Sequence, residues 1–276
     1  MGVLMKVSTP AVLGLVALTL ASSGCSLALD TDKFKGEACE SGEYTDLLFS
    51  VENAAEYENF DAYLWVVNGT AAEFVSVARF RGDEDLERES FDIFMPRGLA
   101  PGTNVVRFFF DVIPDGEFTP RSEGVDGDPG WELPTCSNDH VTLDVGNTET
   151  AADIDDPPMV LHDTDFSATL TNFGAHDNEM VEMRVYDEQD DRVVAYDRTP
   201  ALHDIISYTI GFSQILEDGR NYRVDFYGDN NQNGRYDDPV PGADHTWRVE
   251  LPDNDGNYTF TFVHNSGFTA LDWEEP

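Results

Sequence analysis

Val181-Glu182-Met183-Arg184-Val185 places apolar side chains two residues apart, the period of a β-strand with one face packed and one face wet. Tyr258, Phe260 and Phe262 repeat that spacing near the C-terminus. Outward from these two runs, short segments rich in aromatic and β-branched residues alternate with Gly, Asn, Asp and Pro. Leu47–Val51, Phe60–Val67, Glu73–Phe80, Phe91–Met95, Val105–Val112 and Val141–Val145 read as strands in the first half. Phe166–Thr171, Met180–Tyr186, Arg192–Tyr196, Ile205–Ile210, Tyr222–Tyr227, His245–Leu251 and Tyr258–Val263 do so in the second. Their lengths and turn signals point to an all-β chain.

The two halves match each other. Ser90-Phe91-Asp92-Ile93 aligns with Ser207-Tyr208-Thr209-Ile210, and Leu99, Gly102 and Asn104 align with Leu216, Gly219 and Asn221. After a one-residue slip, Asp111, Asp115, Gly116 and Asp126 align with Asp229, Asn233, Gly234 and Asp244. Glu132-Leu-Pro134 then meets Glu250-Leu-Pro252, each just after a tryptophan. The ordered series implies a tandem duplication of one β-sandwich with about seven strands per copy. The body resembles immunoglobulin-like or transthyretin-like sandwiches, and a small barrel fits the same strand count. The expected organisation is a signal segment over 1–24, a tether over 25–42, a first sandwich over 43–146, a linker over 147–160 and a second sandwich over 161–276.

The first residues address the compartment. Lys6 and the apolar run from Ala11 to Ala21 form a segment too short to span a bilayer comfortably. Ala21-Ser-Ser-Gly-Cys25 resembles the lipobox of bacterial lipoproteins, although Ser22 stands where an aliphatic residue is usual, which leaves ordinary signal-peptide cleavage open. The resemblance implies that Cys25 carries lipid and anchors the chain to a membrane without spanning it. Ser26 after the cysteine favours the outer membrane of the cell envelope. With Cys25 assigned to lipid, Cys39 and Cys136 remain as an even pair for a disulfide in an export compartment.

Acids outnumber bases 54 to 16, for a net charge of −38, and lysine occurs only at positions 6, 33 and 35. Such a surface repels nucleic acid and anionic lipid; it suits cations, basic partners or a salty habitat.

Asp229-Asn-Asn-Gln-Asn-Gly-Arg-Tyr-Asp-Asp238 carries oxygen side chains at its first, third, fifth, ninth and tenth positions and glycine at the sixth. Alternate oxygens can converge on one cation, and glycine permits the sharp turn. The run resembles EF-hand-like and thrombospondin type 3 calcium loops. The resemblance implies ligation by Asp229, Asn231, Asn233 and Asp237 and by the carbonyl of Arg235. Val240 replaces the final glutamate of an EF-hand, so Asp238 or Asp244 must supply the last carboxylate. Oxygen donors favour calcium over zinc or copper. In the first half Ile113 and Thr119 occupy the third and ninth positions, so one complete site is expected rather than two.

No nucleophile elbow, phosphate loop or dinucleotide fingerprint is present. The six histidines show neither helical zinc spacing nor a strand-borne His-x-His, so no histidine metal site is expected. Trp131 and Trp247 are expected in the core and Trp273 at the surface. The function these features imply is a non-enzymatic, lipid-anchored envelope protein with a structural calcium site and a protein or glycan ligand. The alternative is an enzyme, or an accessory subunit, acting on extracellular polysaccharide.

Overall fold

The computed structural model describes residues 42–69, 73–82, 89–120, 127–136, 140–150, 161–202, 207–240, 243–252 and 258–276. The signal segment, Cys25, Cys39, Asp126 and residues 151–160 of the expected linker lie outside them.

The described chain is all-β. The first half forms β1 (Thr45–Glu52), β2 (Asp61–Asn68), β3 (Phe74–Phe80), β4 (Ser90–Leu99), β5 (Thr103–Asp111), β6 (Gly130–Cys136) and β7 (His140–Asp144). The second forms β8 (Thr164–Thr171), β9 (Val181–Asp187), β10 (Arg192–Thr199), β11 (Ser207–Leu216), β12 (Tyr222–Gly228), β13 (His245–Leu251) and β14 (Tyr258–Val263). Short 3-10 turns at Ala55–Tyr57 and Phe173–His176 follow β1 and β8. Among the described residues, no helix is long and apolar enough to cross a membrane.

Each half is a sandwich of the same order: β4-β1-β7 packs on β3-β2-β5-β6, and β11-β8-β14 packs on β10-β9-β12-β13. This is not the ABED and CFG order of immunoglobulin constant domains. Antiparallel pairs dominate, but the closing strand of each half runs parallel to its first, β7 on β1 and β14 on β8.

The two larger sheets join. β3 and β10 pair in parallel, Val77 opposite Ala195 and Asp197 opposite Arg79, to give one eight-stranded sheet. One face carries Leu64, Val66, Ala78, Phe108 and Tyr196 into a core shared with Phe49, Val51 and Ile93 of the β4-β1-β7 sheet. The opposite face carries Trp65, Val77, Met183, Val185 and Phe226 into a core shared with Phe166, Leu170 and Ile210 of the β11-β8-β14 sheet. Both halves fall within the compact unit Cys39–Pro276.

That seam corrects the wet face expected for Val181–Val185. Outer strands such as β11 alternate as expected, with Tyr208, Ile210 and Phe212 buried and Ser207, Thr209 and Gly211 exposed. Strands β3, β9 and β10 are covered on both sides, so Glu182 and Arg184 are buried instead. Buried charges need partners. Arg184 donates to Glu182 at 3.2 Å, donates to the Glu274 carbonyl at 2.8 Å, and lies 3.9 Å from the ring centroid of Trp273. Trp273 is therefore half-buried rather than displayed at the surface, stacked on Tyr236 and edge-on to Tyr227. Trp131 and Trp247 are buried, as expected.

Strand β6, Gly130–Cys136, carries no clear strand pattern in its sequence. It runs along one edge of the large sheet, where Pro134 is tolerated opposite Val105. Cys136 ends β6 and is disulfide-bonded.

Candidate functional site

The Asp229 loop joins β12 to β13, starting where Gly228 ends one strand and returning at Asp244, just before His245 starts the next. Asp229 is buried and accepts the Asn233 N–H at 3.1 Å and the Gly234 N–H at 2.8 Å. Gly234 holds φ at 81°, a left-handed conformation that glycine adopts without strain. Asn231 and Asn233 accept the N–H groups of Asn233 and Arg235, both at 3.1 Å, and turn their amides to Asp237 Oδ2 at 2.9 and 2.5 Å. Those amides hold the Asp237 carboxyl below its usual range. The Asp237 N–H donates to Asp244 Oδ2 at 2.6 Å.

The geometry separates the two candidates for the last carboxylate. Asp238 turns aside, accepting the Tyr236 hydroxyl at 3.1 Å. Asp244 is buried at the base of the loop, and its Oδ1 has no hydrogen-bond partner. Burial pushes its carboxyl up to about 6, the backbone N–H groups of Asp237 and Asn230 oppose that rise, and the charges of Asp229 and Asp237 add to it.

The first half holds a related loop. Asp111 accepts the Asp115 N–H at 3.3 Å and the Gly116 N–H at 2.9 Å, as Asp229 does for Asn233 and Gly234. The counterpart of Asp244 is Asp128, not Asp126. Trp131 pairs with Phe108 as Trp247 pairs with Phe226, and Asp128 accepts the Thr119 N–H at 2.8 Å as Asp244 accepts that of Asp237. The same register sets Glu132 against Arg248 rather than Glu250, so the Glu-Leu-Pro identity is displaced from the structural equivalence. Asp128 Oδ1 is satisfied by the N–H groups of Val112 and Ile113 at 2.7 and 3.0 Å. An acid whose two oxygens take three amides has little left for a cation.

Beside the second loop stands a cluster that no sequence pattern indicated. His176 ends the 3-10 turn after β8, His245 opens β13, and His264 follows β14. Each ring offers a nitrogen such that all three lie within 4.8 Å of one another. His176 is fully buried, with Nδ1 at 2.6 Å from Glu179 Oε2. Its Nε2, His245 Nδ1 and His264 Nε2 have no hydrogen-bond partner. Burial, then the charge of His176, lowers the pKa of His245 and of His264, which favours neutral rings. Trp247 and Phe173 pack against the cluster, and Phe268 stacks on His245 at 4.3 Å.

The remaining buried acids are engaged. Asp197 lies against Arg79 and Arg81, Asp225 against Arg223 and Arg248, and Asp187 against Arg220.

No protein-family model matches the chain, and no curated protein matches it. Among solved structures, the chain is similar to the tip fimbrial protein Mfa3 from Porphyromonas gingivalis, solved with a C-terminal truncation. The identity is 9%, over 75% of this chain and 81% of that one, at a TM-score of 0.26. It is also similar to a protein from Parabacteroides distasonis, provisionally described as a cell adhesion protein. There the identity is 12%, over 85% of this chain and 93% of that one, at a TM-score of 0.23. Likeness at this level carries no argument about this chain.

Proposed function

We propose that this is a non-enzymatic, lipid-anchored protein of the cell envelope, braced by calcium, that acts as a binding or structural module. The observation that carries the reading is the Asp229–Asp244 loop. Asp229 and Asp244 are buried there, the charges of Asp229 and Asp237 act on Asp244, and one buried oxygen, Asp244 Oδ1, makes no hydrogen bond. Unpaired buried carboxylate oxygen is costly, and an oxygen-coordinated cation removes both that cost and the mutual repulsion. Asp229, Asn231, Asn233, Asp237, Asp244 and the carbonyl of Arg235 are the ligands in this reading. Calcium would supply charge and rigidity there, not chemistry.

The anchor belongs to the same proposal. Lipid on Cys25 tethers the outer-membrane protein through residues 25–42, and Cys39 is the partner of the bonded Cys136. The strongly acidic surface then faces a basic protein or a glycan rather than nucleic acid.

Calcium that binds only the folded chain at one hundred times its Kd stabilises it by about 2.7 kcal/mol. Thermal melting of the full chain in chelator and in calcium measures this. We expect the melting temperature to rise with calcium in the natural chain and in Asp111→Asn, but not in Asp244→Asn. A natural chain that melts identically in both buffers would overturn the calcium reading.

A further inference from the structure

We propose that His176, His245 and His264 form a zinc site, separate from the Asp229 loop and independent of the calcium reading. Three observations support it. One nitrogen from each ring lies within 4.8 Å of the other two, and each ring keeps one nitrogen with no hydrogen-bond partner. His176 is completely buried, so its unpaired Nε2 cannot be satisfied by bulk water. Glu179 takes the other nitrogen of His176 at 2.6 Å, the carboxylate–histidine arrangement that fixes the tautomer and orients a ring toward a metal.

Comparison with the first half shows where the second makes room for His176. The turn, strand and ladder positions equivalent to His176, His245 and His264 are Tyr57, Pro129 and Val145, none of which is a usual zinc ligand. Tyr57 stacks on Phe110 at 4.4 Å. The counterpart of Phe110 is Gly228, and a Cβ there would stand 2.7 Å from His176 Nδ1. Ring-on-ring packing in one half is thus replaced in the other by a histidine seated against bare backbone.

Three imidazoles with a carboxylate behind one of them suit a borderline cation, and zinc takes such a set in tetrahedral form with a fourth position for water or an outside ligand. Zn–N bonds of about 2.0–2.1 Å imply nitrogens roughly 3.3 Å apart, so the rings draw together on binding. His245 and His264, both only partly buried, have room to do so.

The test uses the full chain, stripped with chelator, returned to millimolar calcium so that oxygen sites are filled, and titrated with zinc by calorimetry. One zinc per chain is expected. His245→Gln and His264→Gln should each weaken it by more than about 100-fold, and Glu179→Gln by about 10–100-fold, the range for a residue behind a ligand. His140→Gln, far from the cluster, should bind like the natural chain. Failure of the folded natural chain to bind zinc, or affinity unchanged in either cluster variant, would overturn the assignment. X-ray absorption of the zinc-loaded natural chain needs no variant: three imidazoles at the metal support the site, and two or fewer sink it.

Discussion

The two halves share a frame and differ at one end. Backbone devices recur in pairs: left-handed Asn53 and Asn172 after the first strand, Arg97 and Gln214 in the bulge, Gly102 and Gly219 in the following turn, Gly116 and Gly234 in the loop. Even the bulge contacts repeat, with Asp46 accepting the Arg97 N–H and Asp165 that of Gln214, both at 2.9 Å. Against this constancy, the loop and the pole beside it diverge. Asp128 spends both oxygens on amides where Asp244 keeps one free. Tyr57, Phe110, Pro129 and Val145 stand where the second half has His176, Gly228, His245 and His264. Duplication has kept what sets the path of the chain and replaced what fills one end of it.

If the frame is truly common, truncations of equivalent core residues should cost alike. Trp131 packs at about 6 Å from Phe108 and Phe110, and Trp247 stacks on Phe226 at 5.4 Å; each indole donates to a backbone carbonyl at 3.2 Å. Trp131→Ala and Trp247→Ala should each lose about 3–5 kcal/mol in urea denaturation. A gap between them of more than about 2 kcal/mol, the width of that range, would break the equivalence. The next effect is asymmetric. Phe110→Ala opens a cavity beneath Tyr57 and should lose a similar amount, about 3–5 kcal/mol. Gly228→Ala overfills the matching place and should lose about 1–3 kcal/mol by pressing on His176. A neutral Gly228→Ala would mean that His176 does not occupy the space which Phe110 fills in the other half.

The frame was legible because it is written in local signals. Period-two alternation found the outer strands, and turn residues such as Gly102 and Gly219 marked the repeat. The seam was less legible. Nothing in Val181–Val185 distinguishes a wet face from one covered by a second sheet and by Trp273, because burial there depends on a partner far along the chain. The Glu-Leu-Pro identity points to Asp126, whereas the ladder positions of Trp131 and Trp247 point to Asp128. The histidines leave no sequence signal for a related reason. They come from a turn, a strand start and a strand end, so no spacing links them. Aligning by ladder register would have exposed all three at once, as polar residues replacing Tyr57, Pro129 and Val145.

The smallest effect sharpens the contrast between the loops. Burial pushes the Asp111 carboxyl up to about 6, with the N–H groups of Gly116 and Asp115 opposing and the charges of Asp128 and Asp115 adding to the rise. The unfolded chain releases that proton near pH 4. Between about pH 4 and 6 the folded state therefore binds more protons, so the contribution is full below that window and is lost as pH rises through it. Screening by nearby water limits the loss to the order of 1 kcal/mol. Subtracting the stability of Asp111→Asn from that of the natural chain at each pH isolates it, since the other acids titrate in both. We expect the difference to decline across pH 4–6 and to be the same in calcium and in chelator, because the oxygens of Asp128 are already committed to three amides. A flat difference would remove the buried-acid account of Asp111. A difference that vanishes in calcium would make the first loop a second ion site and dissolve the contrast between the halves.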